Sequence, residues 1–180
     1  MVSHWRIPDE WWSRKAEYPW AAQFVRAGDV VADIACGVPH FFKHYLATVA
    51  DKVYAVDHDE NLLDIECKPD NMVLLVNDMW YMPTIPENSV DRVFCISVLE
   101  HLEPHTRSRS LKEMARILKP GGLMITTFDA PNVTPEEYGR LATELHLHWA
   151  DRVDMVLPSN ALYSDKFKLH VFMAVLRKPE

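Results

Sequence analysis

The stretch Val30-Val31-Ala32-Asp33-Ile34-Ala35-Cys36-Gly37-Val38-Pro39-His40-Phe41 constrains this chain more than any other. A β-branched run ends in an acid, small residues follow, and a proline precedes a segment with helical spacing. That is how a parallel strand enters a tight turn and a helix at the ligand edge of a doubly wound sheet. A loop built for pyrophosphate offers backbone N–H groups and positive potential. Here Asp33 puts a carboxylate at the strand end, and Pro39 removes a donor. The loop suits a ligand that carries positive charge better than it suits a dinucleotide.

The rest of the chain repeats the alternation. Strands are predicted at 30–34, 53–57, 72–76, 91–97 and 122–128, and helices at 39–50, 59–65, 106–118 and 134–147. Leu111, Met114, Ala115 and Leu118 keep the i, i+3, i+4, i+7 spacing. Much of 9–26, which holds Trp11, Trp12 and Trp20, reads as a further helix. Strand–helix alternation implies a parallel sheet with right-handed crossovers. Arg152–Leu157 and Phe167–Arg177 are β-like runs without a helix between them, so they should pair antiparallel. The expected fold is α/β and Rossmann-like: a doubly wound sheet of five parallel strands plus a C-terminal antiparallel pair, seven strands in all, with helices on both faces. One domain spanning 1–180 accommodates this length.

Charge and cysteine usage narrow the function classes. A net charge of −7 disfavours a general nucleic-acid surface. Cys36, Cys67 and Cys95 lack metal-type spacing, and an odd number cannot all pair internally, which points to a reducing cytoplasm. No segment reaches the ~20 apolar residues of a membrane span. His101 and His105 are separated by Leu102-Glu103-Pro104, which is not a zinc-binding helix, so no metal site is expected.

Three further acids or loops fall at strand ends. Asp57 closes Val53-Tyr54-Ala55-Val56-Asp57, where a carboxylate can accept both hydroxyls of a ribose; it also fits a helix cap, with Asp59 and Glu60 following. Asp78, after the third strand, can accept from an exocyclic adenine amine while the Met79 N–H serves a ring nitrogen; turn chemistry from Asn77-Asp78 is the plainer reading. Ser97-Val98-Leu99-Glu100-His101 follows the fourth strand, at the crevice edge. His101 is the candidate general base there, set against a structural histidine near a helix start. Lys119-Pro120-Gly121-Gly122 reads as a helix stop and turn, and Arg107, Arg109, Lys112 and Arg116 as a solvated helix face.

In order along the chain, Asp33-Ile34-Ala35-Cys36-Gly37, Asp57, Asn77-Asp78, the 96–102 stretch and Leu118-Lys119-Pro120-Gly121-Gly122 make a set. The chain resembles the class I S-adenosylmethionine-dependent methyltransferases, especially the small type-11 group, over about residues 28–177. The resemblance implies that S-adenosylmethionine is the cofactor. It implies that Asp33, Ala35 and Gly37 lie against its methionine part, and that Asp57, with neighbouring His58, holds the ribose. Asp78 and Met79 would hold the adenine, and Ser97 would lie beneath the transferring methyl. It also implies an N-terminal helical lid over residues 1–27 closing on a core of 28–180, with Tyr18 or Arg14 reaching the cofactor carboxylate. The family's turn usually reads acid-x-Gly-x-Gly-x-Gly, and here the glycine positions hold Ala35, Gly37 and Pro39. Ala35 is accommodated if its φ is negative, and Pro39 if it is the first residue of the next helix.

The expected reaction is methyl transfer to an oxygen or nitrogen of a small-molecule acceptor, with His101 as catalytic base. Aligning nucleophile, methyl carbon and sulfur can supply roughly 7–11 kcal/mol. The alternatives are a non-catalytic partner subunit of the same fold, or an RNA or protein methyltransferase. A nicotinamide oxidoreductase is disfavoured by Asp33 and Pro39. A homo-oligomer or partner-subunit assembly is left open.

Overall fold

The computed structural model describes residues 7–151 and 161–180. Its strands are β1 (Val30–Ile34), β2 (Lys52–Asp57), β3 (Met72–Val76), β4 (Val90–Ile96), β5 (Leu118–Ala130), β6 (His148–Trp149), β7 (Tyr163–Ser164) and β8 (Leu169–Arg177). Its helices are α1 (Arg14–Ala21), α2 (Phe42–Ala47), α3 (Pro104–Ile117) and α4 (Pro135–Glu144), with short 3-10 turns at Ala22–Phe24, Glu60–Asp64 and Leu99–His101.

The sheet runs β3-β2-β1-β4-β5-β8-β6, with β7 paired to β8. The first five strands are mutually parallel, and β8 lies antiparallel to β5, from Leu123 opposite Arg177 to Ala130 opposite His170. The parallel core and antiparallel C-terminal strand are as expected, but the described residues form eight strands where seven were counted. The extra pieces are the two-residue strands β6 and β7, too short for a periodicity to register. The expected strand at 152–157 lies outside the described residues. Strand order reverses between β1 and β4, and the crevice at such a switch point is where open α/β sheets bind ligands.

Alternate residues of the central strands enter two separate cores. Ala32, Val56, Val93, Cys95 and Met124 pack with Leu111 and Met114 of α3 and with Tyr138 and Leu141 of α4. Val31, Val53, Ala55, Phe94 and Ile125 pack with Tyr18 and Ala21 of α1 and with Phe42 and Leu46 of α2. The period of two along each strand therefore fills both faces. Phe42 is the key of the second layer: its ring stacks on Tyr18 at 5.0 Å and meets Phe94 edge-on at 5.5 Å. Burying such a side chain contributes about 1.5–3 kcal/mol and ties α1 and α2 to β4. Among the described residues no helix is long and apolar enough to cross a membrane.

Several local expectations are corrected. The helix predicted at 39–50 is only Phe42–Ala47, and Pro39 lies in the bend before it rather than at its first position. The residue before a proline is biased away from helical backbone, so the chain turns once more before winding up. Segment 59–65 forms only a 3-10 turn, capped by Asp59, whose side chain accepts from the Asn61 N–H. The helix stops at Ile117 as Lys119-Pro120-Gly121-Gly122 predicts, but these residues are not a separate turn: β5 already starts at Leu118, and its register against β4 slips between Val90 and Arg92 to absorb the extra residues. Arg107 is not solvated. It is buried, donates to the Leu99 and Leu102 carbonyls at 2.9 Å, and pairs with Glu137 at 2.5 Å.

Candidate functional site

The first turn carries most of the unusual backbone. Ala35 has φ of +54° and Gly37 of +60°. Ala35 is therefore left-handed, against the expectation of a negative φ, and its Cβ makes that costly by about 1–2 kcal/mol. A Cβ on Gly37 would fall 2.3 Å from the His40 ring. His40 cannot easily yield. Trp11 stacks on it at 3.9 Å, and its Nδ1 is hydrogen-bonded to the Tyr18 hydroxyl at 2.7 Å. Burial, with Arg14 and Lys43 nearby, pulls the His40 pKa down to about 4, so the ring is neutral at physiological pH.

Lys43 sets the electrostatics of this turn, and sequence reasoning missed it. The side chain is fully buried, and its ammonium donates to the carbonyls of Gly37 (2.5 Å), Val38 (3.1 Å) and His40. The loop thus turns its carbonyls inward onto a cation, the reverse of a phosphate cradle. The available signal was a lysine on the same helical face as Phe42 and Leu46, in an otherwise apolar stretch.

Asp33 ends β1 within this environment. It is buried, and its Oδ2 has no hydrogen-bond partner among the described residues. Burial pushes its pKa up to about 7; Lys43 opposes the shift and Asp57 adds to it. Asp57 is better satisfied: its Oδ2 accepts the Gly37 N–H at 2.7 Å and its Oδ1 the Asp59 N–H at 3.1 Å. Each oxygen retains a second lone pair for a ligand hydroxyl.

These residues border two adjoining cavities. One, of about 110 Å³, is lined by Arg14, Tyr18, Asp33, Cys36, His40 and Ser97, among others. The second, of about 370 Å³, is lined among others by Asp57, His58, Asn77, Asp78, Met79 and His101. Ala35 and Val98 line both. Every residue predicted for the site therefore faces one or both of these cavities except Gly37, whose N–H donates to Asp57 of the second. Met79 is buried, whereas Asp78 is exposed and the His58 side chain is 82 % exposed.

Ser97, just past β4, has φ of +49° and is pinned from three sides. Its N–H donates to the Thr127 carbonyl and hydroxyl at 3.0 Å, and its hydroxyl donates to Glu17 at 2.6 Å. Glu17 is fully buried, accepts also from the Thr127 hydroxyl, and pairs with Arg14 at 2.7 Å. Sequence reasoning singled out Tyr18 and Arg14 in this segment but not Glu17.

A third cavity, of about 250 Å³, opens beside them. Its lining includes Trp11, Trp12, Arg14, Ser97, Glu100, His101, Asp129 and Phe167. It shares Arg14 and Ser97 with the first cavity and His101 with the second. The His101 side chain is 73 % exposed, with Nε2 4.0 Å from Glu100 Oε1. Among the described residues no group of three or more His, Cys, Asp or Glu is arranged to hold a metal.

The model of the Methyltransf_11 family, described as a methyltransferase domain, matches residues 32–126, more than half of the chain. The chain is 34% identical over 116 residues to the tRNA (carboxymethyluridine(34)-5-O)-methyltransferase ALKBH8 of Mus musculus, covering 61% of this chain and 16% of that protein. It is 28% identical over 120 residues to the tRNA N(3)-cytidine methyltransferase METTL2 of Danio rerio, covering 61% of this chain and 33% of that one. It thus spans a third or less of these relatives. A solved structure of Burkholderia thailandensis 1,6-didemethyltoxoflavin-N1-methyltransferase, with 1,6-didemethyltoxoflavin and S-adenosylhomocysteine bound, superposes with a TM-score of 0.72 at 17% identity, over 96% of this chain and 82% of that one. The acids gathered at the carboxyl edge of the sheet agree with the family match: the chain belongs to the Methyltransf_11 family and carries its methyltransferase domain.

Proposed function

We propose that this chain transfers the methyl group to a nitrogen or oxygen of a small-molecule acceptor. The observation that carries this reading is the third cavity. It is small, walled by Trp11, Trp12 and Phe167, and acidic through Glu100 and Asp129. Pockets of this kind, largely apolar with a few convergent polar groups, take small ligands. A polyanionic RNA acceptor is poorly matched to buried carboxylates.

The residues fit the cofactor by their chemistry. The orphaned Asp33 oxygen suits the ammonium of the methionine part, which would supply the partner that the protein withholds. Asp57 suits the ribose hydroxyls, and Asp78 with the Met79 N–H suits the adenine edge. Arg14, already at the first cavity, suits the carboxylate. The described part of the N-terminal segment, residues 7–27, serves as a lid over the sheet, with α1 anchored to Ser97 and Thr127 by Glu17. When bound, the cofactor supplies an electrophilic methyl on a sulfonium. The protein's task is then alignment: Ser97 and Val98 form the floor where the three cavities meet, and His101 carries the acceptor's proton toward solvent.

The test is a methyl-transfer assay on the purified chain with labelled S-adenosylmethionine, comparing pools of small amines and alcohols with total tRNA. Turnover on a small molecule and none on tRNA is the expected result. Turnover confined to tRNA replaces this reading with that of the curated relatives.

A further inference from the structure

The least satisfied charges of the third cavity identify what it takes. The Glu100 side chain is 1 % exposed, and neither of its carboxylate oxygens has a hydrogen-bond partner among the described residues. Asp129, near the end of β5, is buried with its Oδ1 likewise unpartnered. Ionised carboxylates held this way are costly. Burial accordingly pushes the Glu100 pKa up to about 7, with Asp129 and Glu17 adding to it and its own N–H and Arg14 opposing. Burial and Glu17 raise Asp129, with Arg14 and His101 opposing.

The charges facing this pair do not satisfy it. The Arg14 guanidinium pairs through Nη1 with Glu17 at 2.7 Å and is not hydrogen-bonded to Glu100. His101 Nε2, at 4.0 Å from Glu100, is beyond hydrogen-bond reach. Glu10 brings a further acid to the lining. Two orphaned acids beside two indoles call for a cation with N–H donors, since carboxylates and aromatic faces both attract one. The cavity also borders Ser97 and His101, where the two cofactor cavities meet it.

We propose that the acceptor presents a primary or secondary amine to Glu100 and Asp129, flanked by Trp11 and Trp12, and that this nitrogen is the atom methylated. The proposal rests on the methyl-transfer reading above. The amine enters as an ammonium ion, and ionised Glu100 takes one N–H proton. The freed lone pair forms the new N–C bond as the C–S bond breaks, leaving its electron pair on sulfur. The products are an N-methylammonium ion and S-adenosylhomocysteine. The proton on Glu100 is released to solvent past exposed His101.

The experiment is titration calorimetry on the wild-type chain, Glu100→Gln and Asp129→Asn. S-Adenosylhomocysteine is titrated first, followed by phenethylamine, phenethyl alcohol and phenylacetate, each with that product present. The expected result is product binding equal in all three proteins. Phenethylamine should bind the wild type about tenfold or more tighter than phenethyl alcohol, with a loss of similar size in each variant, as expected for a charged hydrogen bond. Using two variants guards against one failing to fold. The proposal is overturned if the product binds but the amine does not. It is also overturned if the alcohol or phenylacetate binds as well as the amine, or if neither substitution weakens the amine. If the product fails to bind while the amine behaves as stated, the amine site stands and the methyl-transfer reading falls.

Discussion

Glu17, on the N-terminal helix, accepts the hydroxyl proton of Ser97 at 2.6 Å across eighty positions of sequence. The same carboxylate pairs with Arg14 and accepts from Thr127. One buried acid thereby joins α1 to the ends of β4 and β5 at the mouth of the site.

Glu17→Ala strips that network and leaves Arg14, only 16 % exposed, without its counter-charge. Removing one member of a buried pair typically costs 3–5 kcal/mol, and the slight exposure of Arg14 favours the lower end, about 3 kcal/mol. Urea unfolding should show the loss, and calorimetry should show weaker S-adenosylhomocysteine binding. Unchanged stability would remove Glu17 as the anchor of the N-terminal segment.

The two small residues of the first turn should respond in opposite directions. Ala35 sits at φ +54°, so Ala35→Gly relieves a left-handed alanine and raises stability by up to about 1 kcal/mol after the entropy of the unfolded glycine is counted. Gly37→Ala adds a strained φ and a 2.3 Å approach to a His40 ring held by Trp11 and Tyr18, and should cost about 2 kcal/mol or more. Denaturant midpoints of the two variants check both signs.

Asp57→Asn keeps the shape of the side chain and removes its charge. If Asp57 holds the ribose hydroxyls, affinity for S-adenosylhomocysteine falls by roughly 10–100-fold, the worth of a hydrogen bond to a charged group. Equal affinity by calorimetry would transfer that role elsewhere.

Asp33 gives stability a pH dependence. Its folded pKa of about 7 lies above its ordinary value of 3.8, so between these the native state holds a proton that the unfolded chain has lost. Its contribution therefore falls as pH rises from about 4 to 7. His40, lowered to about 4 from 6.5, acts in the opposite sense between those two values, over most of the same range. The difference between wild type and Asp33→Asn isolates the aspartate: the variant should gain relative stability between pH 5 and pH 8. A difference that is flat with pH would rule out the buried, unpartnered carboxylate.

His101→Ala should lower turnover by about 10²-fold, the low end for a group that helps to move a proton, because the exposed side chain lets water substitute in part. Affinity for S-adenosylhomocysteine should hold. Equal turnover removes His101 from the reaction.

Residue order alone specifies the alternation of strands and helices, the C-terminal antiparallel strand, and the acids Asp33, Asp57 and Asp78 at strand ends. These are legible because side-chain period and turn chemistry act over a few residues. The packed chain sets the sign of φ at Ala35, the capture of three loop carbonyls by Lys43, and the burial of Glu17 beneath Ser97. It alone brought Glu100 and Asp129, from different strand ends, to one cavity, and left the His101 side chain in solvent. Burial and long-range hydrogen bonds depend on which segments meet. A glutamate destined for the core reads locally like one destined for the surface, until the sheet places a hydroxyl opposite it or leaves it without a partner.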